Sequence, residues 1–261
     1  MASVLDKKVI KDDKKFVYFI ILIVLINVWF FSAPTKRMAY IEMFFNNIRY
    51  QQAKASHDSS YEEYMYHRNN AIYLIKLKNS RRTLHAIKEM DKAIATVPDY
   101  VTPSVVQNLY RDRGYIKLYA GDKKGALEDL LLSGDLNMND NLKVAVILTD
   151  HQAYGMARKY CQNILQENNT AILGYVCLSY VYERAGKTNS ARKIYDYAIE
   201  NKKPSNPKLY VERALFKQRI NDFKGFDEDI AIAKKLSPSI NIKTSMIEEA
   251  VKPTDINLSV Q

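Results

Sequence analysis

Residues 104–136 read SVVQNLYRDRGYIKLYAGDKKGALEDLLLSGDL, and their layout decides the fold. A large residue, Tyr110, is followed four positions on by a small one, Gly114. A turn at Gly121-Asp122 comes seven residues later, and a second helical pattern follows through Ala126, Leu130 and Leu136. The layout recurs. Tyr175, Ser179, Gly186-Lys187, Ala191, Tyr195 and Ala198 form one copy. Tyr210, Ala214, Asn221-Asp222, Ile230, Ala233 and Ser237-Pro238 form another. A fixed period of this kind marks a repeat architecture. It moves the question from an active site to a partner.

Outward from this stretch, residues 61–238 read as about five helical hairpins. The first has its second helix in LHAIKEMDKAIATVP, with Ala86, Met90 and Ala93 before Pro98. A linker with Pro98 and Pro103 follows. The hairpin of 104–136 is the second. The third, 139–169, keeps the spacing at Ala145, Ala157, Cys161 and Ile164, but Gln152 occupies its turn. The fourth runs 172–204. The fifth opens at Asn206-Pro207, an N-cap with proline at the first helical position. The small residues of the second helices stand at 86, 126, 157 and 191, with Phe226 in the fifth slot, giving steps of 40, 31, 34 and 35. Small residues let paired helices approach closely, and large ones fill the space between hairpins. No hairpin of this kind buries its apolar face alone, so the array stacks. Residues 239–261 read as a short capping helix around Thr244 to Val251 and a tail.

The pattern resembles the tetratricopeptide repeat (TPR) family over about residues 67–238. That family places Trp, Leu-Gly and Tyr, then Ala, Phe, Ala and Pro, at fixed offsets in 34 residues. The chain departs from it with Tyr at the first position, Phe226 in a small-residue slot and no turn glycine in the third hairpin. The resemblance implies an all-α solenoid whose first helices line a concave groove. Carried over by spacing, the groove residues are Arg111, Tyr115, Leu118, Tyr119, Val146, Val176, Tyr180, Arg184, Leu215 and Arg219. Arg and Tyr are enriched at binding hot spots. The implied partner is an apolar or amphipathic segment of another protein. The alternative is that some of these residues belong to the core between hairpins. The slots that clamp acidic chaperone tails in some TPR domains hold Ala71, Ile75, Arg111 and Tyr115 here, so that activity is not expected.

The bulk numbers agree with such a scaffold. The chain of 261 residues is 47% apolar and 26% charged, a globular balance, and 8 Gly and 7 Pro argue against a turn-rich β protein. The net charge is +10, with basic residues interleaved among acidic ones. This reads as a solvated, mildly basic surface, or as attraction to anionic lipid or an acidic partner. Cys161 and Cys177 sit in helical pattern, as two small core residues or as a pair. His57, His67, His85 and His151 are scattered, and no catalytic or nucleotide-binding motif is present. No enzyme activity, metal, cofactor, small-molecule substrate or nucleic acid is expected.

Residues 1–15 form a charged tail with five Lys and three Asp. Residues 16–33, FVYFIILIVLINVWFFSA, carry no charge, and as a helix would span roughly 27 Å, enough for a bilayer core. A signal peptide would place bulky Phe31 at −3 of a cut after Ala33, so the run reads as an uncleaved transmembrane helix in contact with the lipid bilayer. Residues 34–60 continue as an amphipathic helix with Met38, Ile41, Phe45 and Ile48 on one stripe. Five Lys before the run against Lys36, Arg37 and Arg49 after it predict a cytoplasmic N-terminus and an extracytoplasmic repeat body. The expected function is a membrane-anchored protein-interaction scaffold. It would act as an adaptor or assembly factor of an envelope complex, such as a secretion machine, bound to a membrane-complex subunit. A docking receptor at an organelle surface, with the repeats in the cytosol, and a purely structural subunit are the alternatives.

Overall fold

The computed structural model describes residues 34–55 and 60–251. Among them are twelve α-helices and no strand. In chain order these are α1 (Pro34–Ala55), α2 (Ser60–Lys76), α3 (Ser80–Ala95), α4 (Pro103–Tyr119), α5 (Lys123–Leu132) and α6 (Met138–Asp150). Then come α7 (Tyr154–Glu167), α8 (Ile172–Arg184), α9 (Thr188–Asn201), α10 (Pro207–Arg219), α11 (Phe223–Leu236) and α12 (Met246–Val251). The chain divides into two compact units, the second running from Tyr110 to Ile256. The boundary falls inside α4, where the repeat pattern predicted one continuous array.

In the first unit α2 packs against both α1 and α3. The α1–α2 seam is polar. The buried Asn46 side chain donates to the Tyr66 carbonyl and to Asn70 Oδ1, each at 2.9 Å. The apolar stripe expected on α1 is not its buried face. Met38 and Phe45 are each 55% exposed, while Ala39 and Asn46 are buried. A small residue and a hydrogen-bonding amide let α1 approach α2 more closely than the large side chains would.

The second unit is a row of hairpins. Each of α6 to α10 packs on its successor, and α8 also touches α6 and α10. Small residues sit at the crossings, as their spacing predicts. A Cβ on Gly114 would stand 3.3 Å from the Ala126 carbonyl and from Leu130 Cγ. Ser179 donates to the Ala191 carbonyl at 3.3 Å. Ala157, Ala191 and Ala214 are fully buried. The large core residues between hairpins include Leu130, Leu142, Ile164, Tyr195 and Phe216.

Every hairpin turn contains one left-handed residue: Lys78, Gly121, Gln152, Gly186 and Asn221. In the last four the next amide bonds back to a carbonyl five residues earlier. These bonds run from Asp122 to Lys117, Ala153 to Leu148, Lys187 to Tyr182 and Asp222 to Lys217. This pattern satisfies helix-end carbonyls, so Gln152 turns the chain as the glycines do. Asn79, Asp122, Asn137, Asn206 and Asp222 cap the helices that follow them. Cys161 on α7 and Cys177 on α8 form a disulfide, with Cα atoms 5.5 Å apart.

Residues 16–33 lie outside the described residues. Among the described residues no helix is long and apolar enough to cross a membrane. The expectation of a single-pass membrane protein with an extracytoplasmic body is corrected accordingly and carries nothing below. The end of the array also differs from expectation. Ile240 and Ile242, in irregular chain, cover the last hairpin beside Val211, Ala214, Ile230 and Ala233. The helix expected as a cap, α12, instead lies against α6 and α8.

Candidate functional site

The face formed by α6, α8 and α10 carries a cavity of about 270 Å³. Val146 comes from α6, Tyr180 and Arg184 from α8, Arg219 from α10, and Ile247 and Val251 from α12. Helix geometry explains the meeting. The first helices of adjacent hairpins lie side by side, so equivalent positions on α6, α8 and α10 fall in one row.

Ion pairs fix the rim. Lys123 Nζ stands 2.5 Å from Asp150 Oδ2. Arg219 grips Glu183 with two hydrogen bonds, Nε to Oε1 at 2.6 Å and Nη2 to Oε2 at 2.8 Å. The floor holds Glu212, which is only 2% exposed. Its Oε1 accepts the Met246 amide at 2.5 Å. Burial pushes the Glu212 carboxyl up to about 7, against the pull of the Met246 amide and of Arg219. Tyr195, fully buried, and Tyr180 both have phenols raised first by burial, then by Glu212 and Asp150 respectively.

Of the ten residues predicted for the groove, Val146, Tyr180, Arg184 and Arg219 line this cavity. Val176 and Leu118 do not line this cavity. Val176 is fully buried, and Leu118 packs against Ala126 and Ile147 between hairpins. Leu215 packs on the cluster of the last hairpin, and Tyr119 is half-buried on α4. Arg111 and Tyr115 close on the next hairpin. The Tyr115 hydroxyl donates to Asp140 Oδ1. Arg111 Nε lies 3.1 Å from Asp140 Oδ2, and its Nη2 donates to the Asp135 carbonyl at 2.6 Å. Burial first, then Asp140, holds the Tyr115 phenol well above its ordinary range.

The chain matches no protein-family model and no curated protein. Several solved structures are similar to part of it. One is YrrB, described as a TPR protein with an unusual peptide-binding site. It is 14% identical, with a TM-score of 0.44 over 66% of this chain and 86% of that one. A MamA structure is 16% identical, with a TM-score of 0.46 over 62% and 93%. A second MamA structure, MSR-1 C2, is 15% identical, with a TM-score of 0.45 over 67% and 97%.

The repeat reading left out Glu212 and Asp150, because the groove was read from apolar, aromatic and arginine slots. The signal for Glu212 was present: an acid on a helix face otherwise given to Leu209 and Phe216. A separate cavity of about 560 Å³ lies in the first unit, lined by Met43, Tyr66, His67, Asn70, His85 and Glu89. There His67 Nδ1 stands 2.8 Å from Glu89 Oε2, and Lys92 donates to Glu89 Oε1 at 2.8 Å. Hydrogen bonds from His67 and Lys92 hold the Glu89 carboxyl below its ordinary value although burial works to raise it.

Proposed function

We propose that this chain is a TPR-like protein-interaction module that takes a segment of a partner protein on the face of α6, α8 and α10. One observation carries the reading: that face already holds a peptide segment, α12, by an apolar side chain and a main-chain hydrogen bond. A surface that recognises a helix's side chain and amide together has what peptide capture requires. The second helices leave their outer surfaces to solvent, with Met156 and Tyr197 exposed. An adaptor role follows, in which the groove binds and the outer surface stays free.

A photo-crosslinking side chain at Arg184, compared with one at Met156, tests this in the native host extract. The expected result is a discrete crosslinked protein from Arg184 and none from Met156. Equal crosslinking from both positions, or none from either, would sink the proposal.

A further inference from the structure

We infer that residues Ser245–Val251 are an internal occupant of the groove. The partner that displaces them carries a segment of the same chemistry: a short helix with a branched aliphatic anchor followed by acidic residues. This rests on the groove being a partner site and names the kind of segment it takes.

The segment behaves as a docked peptide. A helix of 6 residues is far too short to hold itself in water. Its start is capped locally, Ser245 Oγ accepting the Glu248 amide at 3.1 Å and the Ser245 carbonyl accepting the Glu249 amide at 3.0 Å. The remainder comes from the groove. Ile247 is buried in the same apolar cluster as Val146, Val181 and Tyr195, with Met246, Ala250 and Val251 packed at its margin. Glu212 accepts the Met246 amide, a group that any foreign peptide also offers. Glu248 lines the cavity beside Arg184, whose charge favours an acid after the anchor, while Lys123 is already paired with Asp150.

The fit is incomplete, as a displaceable occupant requires. A cavity of about 270 Å³ remains between the segment and the groove. The tether is short, from Ser237 after α11 to Ser245. Such a tether holds its end at an effective concentration on the order of millimolar. A partner therefore sees only the open fraction of the groove, and its apparent affinity is reduced by that fraction.

The test uses the full chain and a fluorescein-labelled peptide of residues 243–251, KTSMIEEAV. The Ile247→Asp chain should bind this peptide about tenfold or more tightly than the unaltered chain does. Adding Tyr180→Ala should abolish the gain, and a peptide carrying Ile247→Asp should bind neither chain. An Ile247→Asp chain with native circular dichroism that binds no tighter would overturn the inference. If that variant fails to fold, hydrogen exchange on the unaltered chain decides. Amides of α12 should exchange at least about a hundredfold faster than those of α8, and equal protection would overturn it. A concentration-dependent dimer lost in Ile247→Asp would make the occupant a second copy and overturn a foreign partner. A protein crosslinked from Arg184 equally in both chains would keep the groove and sink the internal occupant. Tight peptide binding with no crosslinked protein would keep the occupant and sink the partner site.

Discussion

Arg213 holds Asp229 with two parallel hydrogen bonds, Nε to Oδ2 at 2.9 Å and Nη2 to Oδ1 at 2.7 Å. One hundred positions earlier Arg113 holds Asp129 the same way, at 2.8 and 2.7 Å. Both devices have the same surroundings. Lys217 and Lys117 add a second cation 2.9 Å from the aspartate. Asp222 and Asp122 cap the second helix through Gly225 and Gly125. A Cβ on Gly225 would stand 2.8 Å from both Asp222 Oδ2 and Lys217 Cδ, so a larger residue there would push the capping and ion-pairing side chains aside. The fourth hairpin lacks the device, with Leu178, Tyr182 and Ile194 at the equivalent positions. A buried carboxylate is retained where two cations and paired hydrogen bonds compensate its desolvation.

Asp229→Ala should therefore destabilise the chain by about 3 kcal/mol, because it removes the paired acceptor of Arg213, which keeps only Asp196, and leaves the buried Lys217 with the Gly225 carbonyl alone. Urea unfolding measures this. The double change Asp229→Ala with Arg213→Met should recover part of the loss. No recovery would mean that Arg213 contributes packing alone.

Gln152 adopts φ 60° where the equivalent turn residue of the fourth hairpin is Gly186 at φ 74°. A side chain in this region costs roughly 1–2 kcal/mol. Gln152→Gly should raise stability by about 1 kcal/mol after the entropy of the unfolded glycine is counted. Gly186→Ala should lower it by a similar amount. The two midpoints in urea should move in opposite directions.

The hairpins, their turns and their close crossings were legible because each is written locally. Period, turn residue and small residue all lie within 34 positions of one another. Gln152 was readable as a turn from its position even though its chemistry did not mark it. The contents of the groove were not legible. A helix around Thr244 to Val251 was expected, but its position is set by contacts with α6, α8 and α10 across long sequence separations. The face of α1 was misread for a related reason. Asn46 is polar by type but buried by its bonds to Tyr66 and Asn70, and no hydrophobic count detects that.

The disulfide joins α7 to α8 across a separation of 16 residues. Closing a loop of that size stabilises by about 3 kcal/mol in the chain-entropy model. Replacing both Cys161 and Cys177 by Ala should lower the unfolding free energy by about that much. Alkylation of the denatured, unreduced protein followed by mass measurement should show neither thiol modified.

Glu212 predicts the pH dependence of α12. Its carboxyl is raised to about 7 in the folded chain by burial, above its ordinary carboxylate value. A raised acid favours the folded, protonated form. Its contribution is full below the unfolded value and is lost as pH rises through about 7. The loss is about 3 kcal/mol at most. The charged and titratable groups around it are Arg219 on its own helix, Glu248 and Glu249 on α12, Tyr195 on α9, and Tyr180, Glu183 and Arg184 on α8, with Lys123 and Asp150 at the rim. Hydrogen exchange of α12 should therefore quicken between pH 5 and pH 8 beyond the intrinsic rise. Glu212→Gln should remove that excess, and an excess unchanged in Glu212→Gln would assign it to another group.

Tyr115 and Tyr180 occupy matching positions in the repeat reading, yet the structure separates their roles. The Tyr115 hydroxyl is bound to Asp140, a fully buried carboxylate also held by Arg111. Tyr180 lines the cavity beside α12. Tyr115→Phe removes a hydrogen bond to a buried charge and should cost about 1.5–3 kcal/mol of stability, with peptide binding by the Ile247→Asp chain unchanged. Tyr180→Phe should leave stability within about 0.5 kcal/mol, while Tyr180→Ala in the same background should weaken peptide binding about tenfold or more. Melting curves and anisotropy titrations on these variants separate the two effects. A Tyr115→Phe chain that binds peptide poorly while melting normally would return Tyr115 to the groove.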